Sequence, residues 1–238
     1  MSHLPQSEST ANAAEFKSEL GISFQYPDDW VAITDLNQAD LPPKFQKLIQ
    51  DKKFDLKKVK VVVLRDTAEE FAENFSVVIA PDQMPTTTSF ISKLKNEMKN
   101  KAAARGLQIA DLSAEPISIA NRPAINMTFK NRPAGSNVMM QQRIVYVPGG
   151  GNTFLLTFTA PVTTYDSYAG AFETALQSLQ VPPAIPGKEP GGIPPSLWQV
   201  LPSLAIGIYI VVSRRMKNRS AAKEPSPLSD EPQVQPLE

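Results

Sequence analysis

With 238 residues the chain has room for one ordinary domain plus appendages, or for two small domains. Its 24 Lys and Arg balance 24 Asp and Glu, so no net charge points to nucleic acid or another polyanion as partner. It has no Cys, which removes disulfides, thiolate catalysis and cysteine zinc sites, and its single histidine is His3.

The first residues, "MSHLPQSESTANAA", lack both the basic start and the apolar core of a secretory leader, and 1–14 reads as a disordered leader segment. "GISFQYPDDW" follows at 21–30. Ile22, Phe24 and Tyr26 share one side of a strand. Pro27 has no N–H for a ladder, Asp28 and Asp29 are turn formers, and a second strand starts at Trp30. Apolar bulk straight after a turn is expected to be core, the competing reading being a binding tryptophan.

Next comes a short amphipathic candidate helix, "LPPKFQKLIQD", with Phe45, Leu48 and Ile49 on one side. Two Val-rich strands follow, "VKVVVLRD" and "NFSVVIA", joined by an acidic connection from Asp66 to Glu73. A long helix is expected in "TTTSFISKLKNEMKNKAAARG". Phe90, Ile91, Leu94, Met98 and Ala102 form its stripe, a Thr run offers the N-cap and Gly106 the stop. "LQIADLSAEPISIAN" then leads into a meander. Its next strand carries Ile125, Met127 and Phe129, and "PAGS" turns the chain into another with Val138, Met140, Ile144 and Tyr146 on one face. "PGGG" at 148–151 closes a hairpin onto "NTFLLTFTAP", where Phe154, Leu156 and Phe158 oppose Leu155, Thr157 and Thr159. A second helix aligns Tyr165, Tyr168, Phe172, Leu176 and Leu179. A connected antiparallel sheet with two one-faced helices gives an α+β fold: a sandwich with a central, mostly antiparallel sheet covered by helices, over 15–181.

The opening "GISFQYPDDW" resembles that of the superfamily joining the photosystem II extrinsic subunit PsbP, the Ran-binding import factor Mog and bacterial DcrB-related proteins. The close "FLLTFTAPVTTYDSYAGAFETALQSLQV" is similar to theirs too, in the spacing of Tyr165, Phe172 and Ser178. The resemblance spans about 20–181 and implies a binding domain, accessory or chaperone-like, rather than a catalyst.

The residues agree with that implication. Without Cys or a core His, Ser-His-Asp, Cys-His and HExxH arrangements are excluded, and no phosphate-binding glycine loop is present. No catalytic, cofactor-binding or metal residue is therefore assigned, and no cofactor is expected. The acid groups Asp28–Asp29 and Glu69, Glu70 and Glu73 read as solvated turns. The sequons at Asn74, Asn126 and Asn218 read as chance. Lysines crowd 44–60, and Lys52, Lys53, Lys57 and Lys58 form a possible basic contact patch. With Lys93, Lys95, Lys99, Lys101 and Arg105 they would suit an acidic partner or anionic lipid, unless they are simply solvated faces.

The 22 prolines crowd toward the C-terminus, and 182–196 reads as a Pro- and Gly-rich linker. Leu197 to Val212 carries no charge, with Trp198 and Tyr209 near its ends and Arg214, Arg215, Lys217 and Arg219 after it. Sixteen helical residues cover roughly 24 Å, short of a hydrocarbon core of about 30 Å, but counting from Ile193 supplies the length. A single membrane-spanning segment over 197–213 is expected, the alternative being a helix packed on the domain. Residues 214–238 read as a basic, then disordered, tail.

The expected function is a non-enzymatic, membrane-tethered accessory or assembly domain. Its partners are membrane lipid through the C-terminal segment and an unidentified protein, with no nucleic acid. The alternative is a soluble chaperone-like module shielding apolar client segments. The absent leader places the domain on the cytoplasmic side, against the bias of the basic tail.

Overall fold

A computed structural model of the chain describes residues 13–34, 58–65, 73–104, 107–132 and 137–185. Seven strands form one antiparallel sheet: β3 (Trp30–Ile33), β4 (Val59–Arg65), β5 (Asn74–Pro81), β6 (Ile109–Ile119), β7 (Arg122–Asn131), β8 (Met140–Gly149) and β9 (Asn152–Pro161). Their order across the sheet is β3-β4-β5-β9-β8-β7-β6. A separate hairpin pairs β1 (Ala13–Lys17) with β2 (Ser23–Pro27), Phe16 opposite Phe24. Two helices complete the described chain, α1 (Thr88–Ala103) and α2 (Tyr165–Gln177).

The sheet is an α+β sandwich, as the alternation predicts, with both faces covered. On one face α1 buries Phe90, Ile91, Leu94, Met98 and Ala102, the whole of its expected stripe. They meet Val62, Leu64, Val78, Ile125, Met127, Phe129, Ile144, Tyr146 and Leu155. The Oγ1 of Thr87 caps this helix by accepting the Phe90 N–H. On the other face α2 and the β1–β2 hairpin cover Val61, Val63, Phe75, Val77, Phe154, Leu156 and Phe158. Runs such as "VKVVVLR" and "FLLTF" are apolar at successive positions because each side of those strands has its own core. A bulge between Val59 and Val61 resets the alternation, so Val59 and Val62 reach the same core.

The edges are kept from further pairing. β3 is only four residues long. β6 is bulged between Ala110 and Ser113, where Asp111 takes a positive φ and pairs with Lys130.

Three expectations need correction. β1 starts at Ala13, inside the expected leader; "AAEFK" has weak strand propensity and is held by register with β2 and by Phe16, 7% exposed. Val138 precedes β8 and is exposed rather than sharing the face of Ile144 and Tyr146. The folded part also runs past Val181, to Ile185, which is bonded to Gln83. The candidate helix at 41–51, the 133–136 turn, the 197–213 segment and the tail lie outside the described residues.

The "GGG" motif divides by role. Gly150 and Gly151 have φ of 57° and 79° and make the tight β8–β9 turn. Gly149 is the last residue of β8, and a Cβ there would stand 2.6 Å from the Pro182 carbonyl oxygen. Gly149→Ala is expected to cost roughly 1–3 kcal/mol by forcing backbone apart. Urea unfolding reads the loss. The same substitution in a chain ending at Val181 is expected to cost much less; an equal loss would move the cause away from Pro182.

Candidate functional site

Of the expected contact residues, Lys58 precedes β4 and is half-buried, whereas Lys52, Lys53 and Lys57 lie outside the described residues, as do Trp198, Tyr209, Arg214 and Arg215. On α1 the side chains of Lys93, Lys99 and Lys101 are exposed and Lys95 is half-buried. Asp28 and Asp29 form the exposed turn the sequence predicts. Among the described residues, no three His, Cys, Asp or Glu side chains gather as a metal site would require.

Glu73 departs from its expected role as a solvated acid. It is 1% exposed, accepts Arg65 Nε at 2.7 Å and Thr164 Oγ1 at 2.7 Å, and its carbonyl accepts the Arg65 N–H. A buried carboxylate requires such partners. The Arg65 guanidinium also lies over the Tyr168 ring, 4.7 Å from its centroid. A second cation fixes the middle of α2: Arg143 pairs with Glu173, lies over Phe172 and donates from Nε to Asn126 Oδ1 at 2.8 Å. The Asn126 amide in turn donates to Glu115. Asn126 is thus bonded at both ends of its amide, and Asn74 is buried in β5, so neither sequon presents a free acceptor.

The two stretches that carry the family resemblance meet in space. Trp30 is 5% exposed and packs against Phe75 and Tyr168, with ring centroids 6.0 and 6.3 Å apart. Phe172 stacks on Phe158 and touches Phe75, and Tyr165 packs on Phe158. Ser178 Oγ accepts the Gln25 N–H at 2.8 Å, tying the end of α2 to β2. The spacing Tyr165, Phe172, Ser178 is therefore a packing motif.

Burial pushes the Tyr146 phenol well above the ordinary tyrosine range; its hydroxyl donates to Met127 Sδ at 3.8 Å. Burial also raises Tyr165, against the pull of Arg143. Both hold their proton to higher pH in the folded chain than in the unfolded one, which ionises near pH 10, so the stability they contribute is present below about pH 10 and falls as pH rises past it. Tyr146→Phe is expected to change stability by under about 1 kcal/mol at pH 7 and to flatten the alkaline loss, read by urea titrations at pH 8 and 10.5.

What the sequence reading missed is a strap at one end of the sheet. After α2, Gln180 and Ser23 exchange backbone hydrogen bonds at 2.8 and 3.0 Å. Pro182 O then accepts Arg122 Nη1 at 2.6 Å, and Pro183 O accepts the Gly150 N–H at 2.8 Å. Ile185 binds the Gln83 amide through both its N–H and its carbonyl, each at 3.0 Å. The strap thus crosses the β8–β9 tip, the β6–β7 tip and the β5–α1 connection. Pro182 to Ile185 are docked on the domain, where the composition predicts the start of an extended Pro- and Gly-rich linker. A pocket of about 290 Å³ opens beside it, lined by Thr86, Arg122, Pro123, Pro148, Pro183 and Ala184. This end, where the described chain leaves the domain, is the candidate interface. No helix among the described residues is long and apolar enough to cross a membrane.

No family model matches the chain, and no curated protein matches it. Solved structures do. The chain is similar to cyanobacterial PsbP (CyanoP) from Synechocystis sp. PCC 6803, with 20% identity, a TM-score of 0.49, and coverage of 75% of this chain and 98% of that one. It is similar to LpqN of Mycobacterium tuberculosis, involved in cell envelope biogenesis, at 13% identity and TM-score 0.42, over 72% of this chain and 92% of that one. It is also similar to the Ran-binding protein Mog1p of Saccharomyces cerevisiae, at 9% identity and TM-score 0.43, covering 73% and 97%. PsbP and Mog, two of the three names in the superfamily that the sequence resembles, both stand among these structures. The likeness is one of fold.

Proposed function

We propose that the chain is a membrane-tethered, non-catalytic accessory domain that holds a protein partner beside a bilayer. The observation that carries this reading is the strap. The chain leaves the domain firmly bound at one end of the sheet, heading into a Pro-rich spacer and then the uncharged run Leu197 to Val212. Trp198 suits one interface of a bilayer, and Arg214 and Arg215, with Tyr209 shortly before them, suit the polar margin of the other. The folded part supports binding over turnover. Arg65, Glu73, Arg143 and Glu173, the groups with the makings of acid–base chemistry, are engaged in pinning α2 to the sheet.

Alkaline extraction of membranes from cells making the full chain tests the tether. The chain is expected in the pellet, and a chain ending at Pro190 in the supernatant. Release of both by alkali would replace this reading with the soluble, chaperone-like one. Protease added to sealed vesicles with the cytoplasmic face inward is expected to spare the domain.

A further inference from the structure

We propose that the strap end of the domain lies against the bilayer, with Leu20 and Ile185 as its apolar contacts, and that the opposite end points into the water. The inference rests on the membrane-tethered reading and adds an orientation and a contact surface to it. At the strap end, Leu20 and Ile185 are 47% and 49% exposed, large apolar side chains with no core to enter. Leu20 sits in the β1–β2 turn, beside Gly21, where a Cβ would touch the Pro182 ring at 3.1 Å. Ile185 is the last described residue of the strap, held by Gln83. The opposite end also exposes apolar residues, Val138 and Val162, joined by the Val162 N–H bond to Met139 O. Where the chain leaves decides between the two ends.

The spacer between Ile185 and the uncharged run is residues 186–196, with Pro186, Pro190, Pro194 and Pro195. At ~3.1 Å per residue in an extended proline-rich conformation it reaches at most roughly 34 Å, and roughly 22 Å where the span starts at Ile193. The sheet is about as long: β8 has 10 residues, or roughly 33 Å at 3.3 Å each. To put the opposite end on the bilayer, the spacer would have to run the length of the domain at full stretch. With the strap end facing the lipid it has slack, and two exposed apolar side chains gain a nonaqueous surface. The end bearing Trp30, Arg65, Asn74 and Pro161 is then turned away from the lipid, toward a partner.

The absence of native cysteine makes the test direct. The full chain, with Glu19→Cys at the strap end or Thr163→Cys at the opposite end, is labelled with a fluorophore. It is reconstituted into phosphatidylcholine vesicles carrying a nitroxide quencher on the headgroup, and flotation is measured on the same samples. Both positions are exposed. The expected result is flotation of both chains, with the Glu19 label losing roughly half its emission and the Thr163 label, about 33 Å of strand farther off, almost none. Replacing Leu20 and Ile185 together with serine is expected to reduce Glu19 quenching toward the Thr163 level. Flotation with equal quenching, or with Thr163 more quenched, overturns the orientation and leaves the tether standing. Failure to float overturns the tether and the orientation with it. Quenching unchanged by the serine pair removes Leu20 and Ile185 from the contact.

Discussion

Trp30→Ala is expected to cost the domain about 3–5 kcal/mol, among the largest single losses the fold offers. Trp30 enters β3 straight after the Asp28–Asp29 turn and is 5% exposed. Its ring meets Phe75, itself in contact with Phe24 and Phe172, and Tyr168 one turn into α2. Removing the indole therefore opens a cavity where three elements converge: the β1–β2 hairpin through Phe24, the sheet through Phe75, and α2 through Tyr168 and Phe172. Aromatic pairs of this kind add about 0.5–1.5 kcal/mol each beyond the area they bury. Trp30→Phe keeps most of the contact and is expected to cost roughly half as much. Equilibrium urea unfolding at pH 7 measures both. A loss below about 1 kcal/mol for Trp30→Ala would make the tryptophan a surface contact, the reading the sequence left open.

The elements that were legible in the sequence are those whose pattern is local. The stripe of α1 and the faces of β7 and β9 follow from side-chain period alone. The second covered face was written in the same letters, since strands apolar at every position need a core on each side. What could not be read depends on partners distant in sequence. β1 has one large apolar residue and exists through its register with β2. The strap is invisible to composition because proline content counts missing N–H donors. Pro182 and Pro183 contribute carbonyl acceptors, and their donors, on Arg122 and Gly150, come from two hairpin tips. The one local trace was Gly149, a glycine that the turn does not need. The candidate interface was correspondingly hidden, although the apolar run on which the proposed tether rests was plain.

Glu73 shows the same limit of local reading, and it sets the second large effect. Arg65→Met is expected to destabilise the domain by about 3–5 kcal/mol, because it leaves a carboxylate that is almost wholly buried with a single hydroxyl for company. In sequence, Glu73 looks like Glu69 and Glu70, one more acid in a polar connection. In the fold it stands across from Arg65 at the β4–β5 margin, where the register Leu64 opposite Asn74 carries on by one residue. Its second partner, Thr164, is the N-cap residue of α2 and makes no side-chain cap bond, its hydroxyl being turned to Glu73 instead. The Thr164–Glu73 hydrogen bond therefore replaces an ordinary helix cap by a link between α2 and the sheet, and Arg65, paired with Glu73, extends that link one turn along to Tyr168. If the loss in Arg65→Met comes from a stranded charge, removing the charge as well should restore stability. Arg65→Met with Glu73→Leu is expected to recover all but roughly 1 kcal/mol, since apolar residues often replace a buried ion pair without loss. Urea unfolding of the two single variants and the double variant closes the cycle. Losses that simply add would show that Arg65 works through its stack on Tyr168 rather than through Glu73, and would shift the anchor of α2 from the carboxylate to the aromatic ring.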